Sequence, residues 1–166
     1  MAQDDIRSIQ RIYEEQCPAW REAVRKLAED IAARLENDGI RAHLRWRIKE
    51  LDSLIDRMRG KEVVNDLLGL RIVVPFQEDV DAAVGTLQRG WDALDVERKA
   101  DGLSFREFGY DSVHVVLAAD DLVAGRLPRN CRHVFEVQVR TTLQDAWAEV
   151  EHELVYKSPL QIPRES

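Results

Sequence analysis

From Phe135 to Arg140 the side chains alternate: Phe135, Val137 and Val139 leave the backbone on one side, and Glu136, Gln138 and Arg140 on the other. A period of two is the signature of an extended strand in a sheet, so residues 132 to 140 are read as a strand. Its apolar side calls for a core, while its other side presents a carboxylate, an amide and a guanidinium. The pattern recurs. In residues 42 to 49, Ala42, Leu44, Trp46 and Ile48 alternate with His43, Arg45, Arg47 and Lys49, predicting a strand with one buried and one basic face. In residues 112 to 118, Ser112 and His114 fall on the polar side. A chain with three such strands must cover one side of its sheet with apolar packing and leave charge on the other.

The rest of the chain supplies the cover. Residues 67 to 74 (LLGLRIVV) form a mostly apolar run that predicts a central strand stopped by Pro75, with Asp66 at its mouth. Spacings of three and four at Ile6, Ile9, Ile12 and Tyr13, and again from Trp20 to Leu35, predict two N-terminal helices separated by Pro18 and closed at Gly39. Further helices are predicted around Leu51 to Met58, over residues 79 to 94, and over Thr142 to Lys157, where Leu143, Ala146, Trp147, Val150 and Leu154 form one stripe. Residues 98 to 109 read as an exposed loop. Helices alternating with four strands indicate an α+β or mixed α/β fold.

At 166 residues the chain has room for one core. No apolar run reaches the roughly 18 residues of a membrane span, and the start lacks a signal-peptide pattern, so the chain reads as cytoplasmic. Cys17 and Cys131 have no metal-binding spacing and are expected to be small buried hydrophobes. The GxGxxG, GxxxxGK[ST] and HExxH patterns are absent, so any nucleotide must be held by side chains. The formal charge of −7 argues against coating nucleic acid, yet residues 41 to 61 alone carry a net of +4, leaving −11 elsewhere. Alternating charge on a strand is commonly a solvated outer face. If the polar faces coincide, however, Asp66 and Glu136 stand on one floor ringed by arginine, lysine and histidine. That is the equipment for phosphoryl or pyrophosphoryl transfer: carboxylates for magnesium, cations for phosphate.

Four segments in order then resemble the synthetase domain of the RelA/SpoT superfamily. RIKELDSLIDRM resembles its R-x-K-x-x-x-S helix start, DLLGLR its D-x-x-G-x-R strand, GYDSVH its G-Y-x-S-x-H segment, and FEVQVRTTLQDAWAEVEHELVYK its E-x-Q-x-R-T strand and long helix. The resemblance covers residues 40 to 158, with N-terminal helices in 1 to 39 and a tail at 159 to 166. It implies a nucleotidyltransferase-like mixed β-sheet of about five strands with flanking helices, and transfer of the β,γ-pyrophosphate of ATP to the 3′-hydroxyl of GDP or GTP with Mg²⁺, making (p)ppGpp. By position, it implies that Asp66 and Glu136 are the catalytic and magnesium-binding acids. It implies that Arg47 and Arg71 sandwich the adenine, that Lys49, Ser53 and Arg57 meet the ATP phosphates, and that Tyr110, His114, Gln138 and Asp145 receive the acceptor. Trp147, Glu149, Glu151 and His152 are read as structural.

The departures fall on the acceptor side. Asp111 stands where many relatives carry arginine, Asp145 where some carry asparagine, and Lys99 and Arg106 are the nearby cations that could substitute. Two alternatives accompany the synthetase reading: a toxin-type relative that pyrophosphorylates the tRNA 3′-end or makes adenosine alarmones, and a non-catalytic nucleotide-sensing module. No alarmone-degrading segment is expected, no membrane partner is implied, and assembly as a homo-oligomer is left open.

Overall fold

The computed structural model describes residues 3–60, 62–98, 112–119, 123 and 126–157, the last helix by its backbone alone beyond residue 150. The described elements run α1 (Gln3–Asn37), β1 (His43–Ile48), α2 (Leu51–Arg59), β2 (Leu68–Val74), α3 (Gln77–Gly90), β3 (Ala93–Arg98), β4 (Val113–Ala118), β5 (Val134–Thr141) and α4 (Thr142–Lys157). The strands form one five-stranded sheet in the order β1-β2-β5-β4-β3. β2 and β5 are parallel and the other pairs antiparallel, giving the mixed sheet of an α+β fold.

The apolar strand faces meet α1 and α3 in a single core, with Trp20, Leu27, Ile31, Leu35, Leu68, Ile72, Leu87, Leu117 and Phe135 all but fully buried. α2 adds Leu54, Ile55 and Met58 to it. The end of α1 follows from its sequence: Gly39 takes φ +75°, the Ile40 N–H donates to the Leu35 carbonyl at 2.8 Å, and the Gly39 N–H donates to Glu36 at 3.0 Å. These are the paired bonds of a Schellman close, with Leu35 and Ile40 buried together beneath it.

Several expectations are corrected. Pro18 does not divide two helices but lies inside one. Proline removes a helical hydrogen bond and crowds the preceding turn. The apolar stripe nevertheless crosses it unbroken, for Tyr13 and Trp20 meet edge to face at 5.6 Å on either side, and the Tyr13 hydroxyl donates to the Lys49 carbonyl. The helix expected over residues 79 to 94 ends at Gly90, and residues 93 to 98, ending in what was expected as loop, form β3. This is a polar edge strand bonded to β4 alone, so it has little apolar alternation to reveal it. Residues 99–109 of the expected loop lie outside the described residues. Trp46 was placed on a buried face but is 39% exposed, because β1 is an edge strand with sheet on one side only.

The stripe expected on α4 is inverted over its described side chains. Among these Leu143, Trp147 and Val150 face outward, and the buried positions are Gln144 and Asp145. A reciprocal cap fixes this orientation: the Gln144 N–H donates to Thr141 Oγ1 at 3.2 Å, and the Thr141 N–H donates to Gln144 Oε1 at 2.7 Å. Neither cysteine is fully buried. Cys17 Sγ accepts from Arg21 Nε at 3.4 Å. The Cys131 thiol is pushed up to about 12 by burial and then by the charge of Asp66, and so remains a thiol.

Asp38, just past α1, ties that helix to α3. Its carboxylate accepts from Thr86 Oγ1 and, at 2.9 Å, from Arg89 Nη2. The Thr86 bond, followed by the Arg89 bond, holds the Asp38 carboxyl below the ordinary aspartate range. Its stabilising contribution is therefore present above the unfolded value near 3.8 and is lost as pH falls through the lower folded value. Asp38→Asn should lower Tm at pH 7, and thermal melts should show the gap from the parent closing below about pH 4.

Candidate active site

Directly paired residues of neighbouring strands share a sheet face, so the register decides whether the polar faces coincide. They do. Arg47 pairs with Gly69, which pairs with Glu136; Arg45 pairs with Arg71, Arg71 with Gln138, and Gln138 with His114; Val73 pairs with Arg140. Above these rows lies a cleft of about 190 Å³ lined by Arg45, Trp46, Arg47, Asp66, Gly69, Leu70, Arg71, Glu136 and Gln138. Gly69 leaves space there that the Arg47 side chain overlies, with Arg47 Cγ 3.5 Å from where a Cβ would stand.

Each acid has a basic neighbour. Lys49 Nζ, on a residue only 9% exposed, donates to Asp66 Oδ2 at 2.7 Å. Glu136 Oε1 lies 2.8 Å from His114 Nδ1. Asp66 and Glu136 thus sit on one cleft, and no cluster of three or more metal-ligating side chains is present among the described residues. Two carboxylates without a closed cage fit Mg²⁺, which keeps waters and takes substrate phosphate oxygens for its remaining positions.

α4 brings a third carboxylate. Arg71 Nη1 donates to Asp145 Oδ1 at 3.0 Å, Arg45 Nη1 lies 3.4 Å from Oδ2, and Arg140 Nη1 lies 3.8 Å from Oδ1. Gln138 Oε1 accepts from Arg140 Nη2 at 3.0 Å and Arg71 Nη2 at 3.4 Å. Burial, and then the charge of Arg71, pulls the Arg140 guanidinium below its ordinary range, while Asp145 opposes the shift. Arg140 Nε has no partner among the described residues. Glu149, itself exposed, lies 3.3 Å from Arg45.

The structure therefore joins Asp66, Glu136, Arg47, Arg71, Lys49, Gln138, His114 and Asp145 on one side of the sheet. Ser53 and Arg57 share an exposed face of α2 and are not among the residues lining the cleft; Arg57 instead meets Glu62 at 3.3 Å. Tyr110, Asp111, Lys99 and Arg106 lie outside the described residues, as do the side chains of Glu151 and His152. Arg45 and Arg140 belong to the site but were not expected as site residues. Their strand parity was legible, whereas their shared carboxylate partner was not.

Comparison with known proteins agrees with this geometry. The family model described as "Region found in RelA / SpoT proteins" matches residues 46–161. GTP pyrophosphokinase YjbM of Bacillus subtilis is 32% identical over 126 residues, covering 70% of this chain and 57% of that protein. GTP pyrophosphokinase YwaC of the same organism is 26% identical over 134 residues, covering 74% of this chain and 62% of that protein. The chain thus spans less than two thirds of the length of either relative. The crystal structure of small alarmone synthetase 1 from Bacillus subtilis bound to its product pppGpp superposes with a TM-score of 0.69 at 26% identity, covering 92% of this chain and 84% of that one.

Asp145 is the buried counter-charge to arginines, and Arg45 its exposed partner. Urea unfolding should show Asp145→Ala losing on the order of 3 kcal/mol, because it strands buried cations. Arg45→Ala should lose less than about 1 kcal/mol, since its ion pair is open to water.

Proposed function

The chain belongs to the RelA/SpoT family, and from that premise we propose that it is a pyrophosphotransferase that moves the β,γ-pyrophosphate of ATP to the 3′-hydroxyl of GDP or GTP, giving (p)ppGpp in the cytoplasm. The observation that carries this reading is the register that sets Glu136 opposite Gly69, in one row with Arg47 and beside Arg71, on the cleft that Asp66 also lines. A reaction that displaces one polyphosphate oxygen by another needs an acid pair at the reacting centre and cations along the phosphates. That arrangement matches both needs.

Glu136 takes the proton of the acceptor hydroxyl as the new P–O bond forms, and AMP leaves. Asp66 and Glu136 would hold Mg²⁺, which when bound supplies positive charge to the phosphate oxygens. Lys49 occupies one oxygen of Asp66 and is within reach of whatever that carboxylate ligates. The resemblance adds Ser53 and Arg57 to Lys49 as a phosphate-binding set, although both stand on the exposed face of α2 outside the lining of the cleft. Arg71 bonds Asp145 through the edge of its guanidinium, and such in-plane bonds leave the flat faces of the group for stacking on adenine with Arg47. Asp145 anchors Arg71 and still has lone pairs for the N1–H and N2–H₂ of guanine. Tyr110, His114 and Gln138 complete the acceptor side.

Incubation with γ-labelled ATP, Mg²⁺ and GDP, GTP, AMP or tRNA in turn should label GDP and GTP. Label on tRNA or AMP alone would overturn the assignment. Glu136→Gln should lower transfer by about 100-fold or more while leaving ATP binding within a few-fold. Tyr110→Ala should raise the acceptor KM by roughly 5- to 100-fold with little change for ATP, as loss of base stacking predicts.

A further inference from the structure

One chain of hydrogen bonds on the polar face reaches beyond the groups assigned to substrate. Ser112 Oγ lies 3.0 Å from His114 Nε2, and His114 Nδ1 lies 2.8 Å from Glu136 Oε1. The strands create this line. Ser112 immediately precedes β4 and stands two residues from His114, so both leave on the same face. His114 pairs with Gln138 and Val116 with Glu136, which makes His114 and Glu136 diagonal neighbours across β4 and β5. Ser112 and His114 are 4% and 9% exposed, so water has little access to compete for these bonds.

The donors and acceptors fit in only one sense when Glu136 is a carboxylate and His114 a neutral imidazole. A carboxylate accepts and cannot donate, so the proton lies on Nδ1. A neutral imidazole has a single N–H, which makes Nε2 an acceptor, and the Ser112 hydroxyl is then the donor to it. A serine rotor can turn either way, and here the far end of the line decides. We propose that Ser112 is a positioning residue: by donating to Nε2 it holds His114 as the Nδ1–H tautomer, whose N–H fixes Glu136 Oε1 and leaves the other carboxylate oxygen to face the acceptor hydroxyl. The proposal rests on the reading of Glu136 as the group that receives that hydroxyl's proton. Buried Ser112 takes no part as a nucleophile; it acts through His114.

The test begins without nucleotide. In ¹⁵N-histidine-labelled protein, long-range ¹H–¹⁵N spectra, with the His114 signals assigned from their loss in His114→Asn, should show Nδ1 protonated and Nε2 bare. Ser112→Ala should move the ring to the Nε2–H form or to a mixture, and Ser112→Thr, which keeps the hydroxyl, should restore Nδ1–H. An Nε2–H ring in the parent protein, or an unchanged ring in Ser112→Ala, overturns the proposal whether or not the chain transfers pyrophosphate. In the transfer assay Ser112→Ala should lose about 10- to 100-fold in kcat with both KM values within about twofold, and Ser112→Thr should recover most of it. A rise in KM at unchanged kcat would also overturn it. Absence of transfer in the parent protein would instead count against the proposed function and leave the tautomer result standing.

Discussion

A sheet face that sets Arg45, Arg71 and Arg140 next to one another cannot be closed over without negative charge, and Asp145 of α4 provides it. The repulsion between Arg71 and the buried Arg140 would otherwise be felt where little water is present to screen it. This requirement explains the first turns of α4, where Gln144 and Asp145 are buried while Leu143 and Trp147 face outward, contrary to the habit of a covering helix. The Thr141–Gln144 cap starts the helix at the residue where the strand ends, so that Asp145 follows directly over the cations. The long packed helix α1 and its neighbour α3 carry the opposite face, and the polar face is free to hold charge because stability is secured there.

That division separates what the sequence could reveal from what it could not. Alternation from Phe135 to Arg140, and the apolar run before Pro75, identified β5 and β2, and the alternation gave the parity of Glu136, Gln138 and Arg140. The bounds of α4 at Thr142 and Lys157 were legible as well. Periodicity states which side chains share a face but not toward what that face is turned, and α4 is the case where the difference matters. β3 escaped because a polar edge strand has no apolar partner to pattern it. Pro18 misled because local backbone cost was weighed without the packing of Tyr13 on Trp20 across it.

The candidate site divides the same way. Asp66, Glu136, Arg47, Arg71 and Lys49 were named from residue type, position and resemblance, and the register brings them to one side of the sheet. The pairings among them were not legible: Arg71 with Asp145 spans 74 residues and Lys49 with Asp66 spans 17, and neither follows a local rule. Such contacts exist only once strand order is known.

The parallel pairing of β2 with β5 has a consequence for biosynthesis. Leu68 and Phe135 are register partners at the heart of the sheet, yet the whole of α3, β3 and β4 is translated between them. Strands this remote in sequence close late, because loop entropy must be overcome before their contacts return anything. While the ribosome is still adding residues 75 to 133, β2 is an apolar ribbon with an unpaired flank and Arg71 has no counter-ion. The half-made chain is thus at its most adhesive in mid-translation, and the arrival of β5 and the first turn of α4 seals the exposed strand and neutralises the arginine floor in one event.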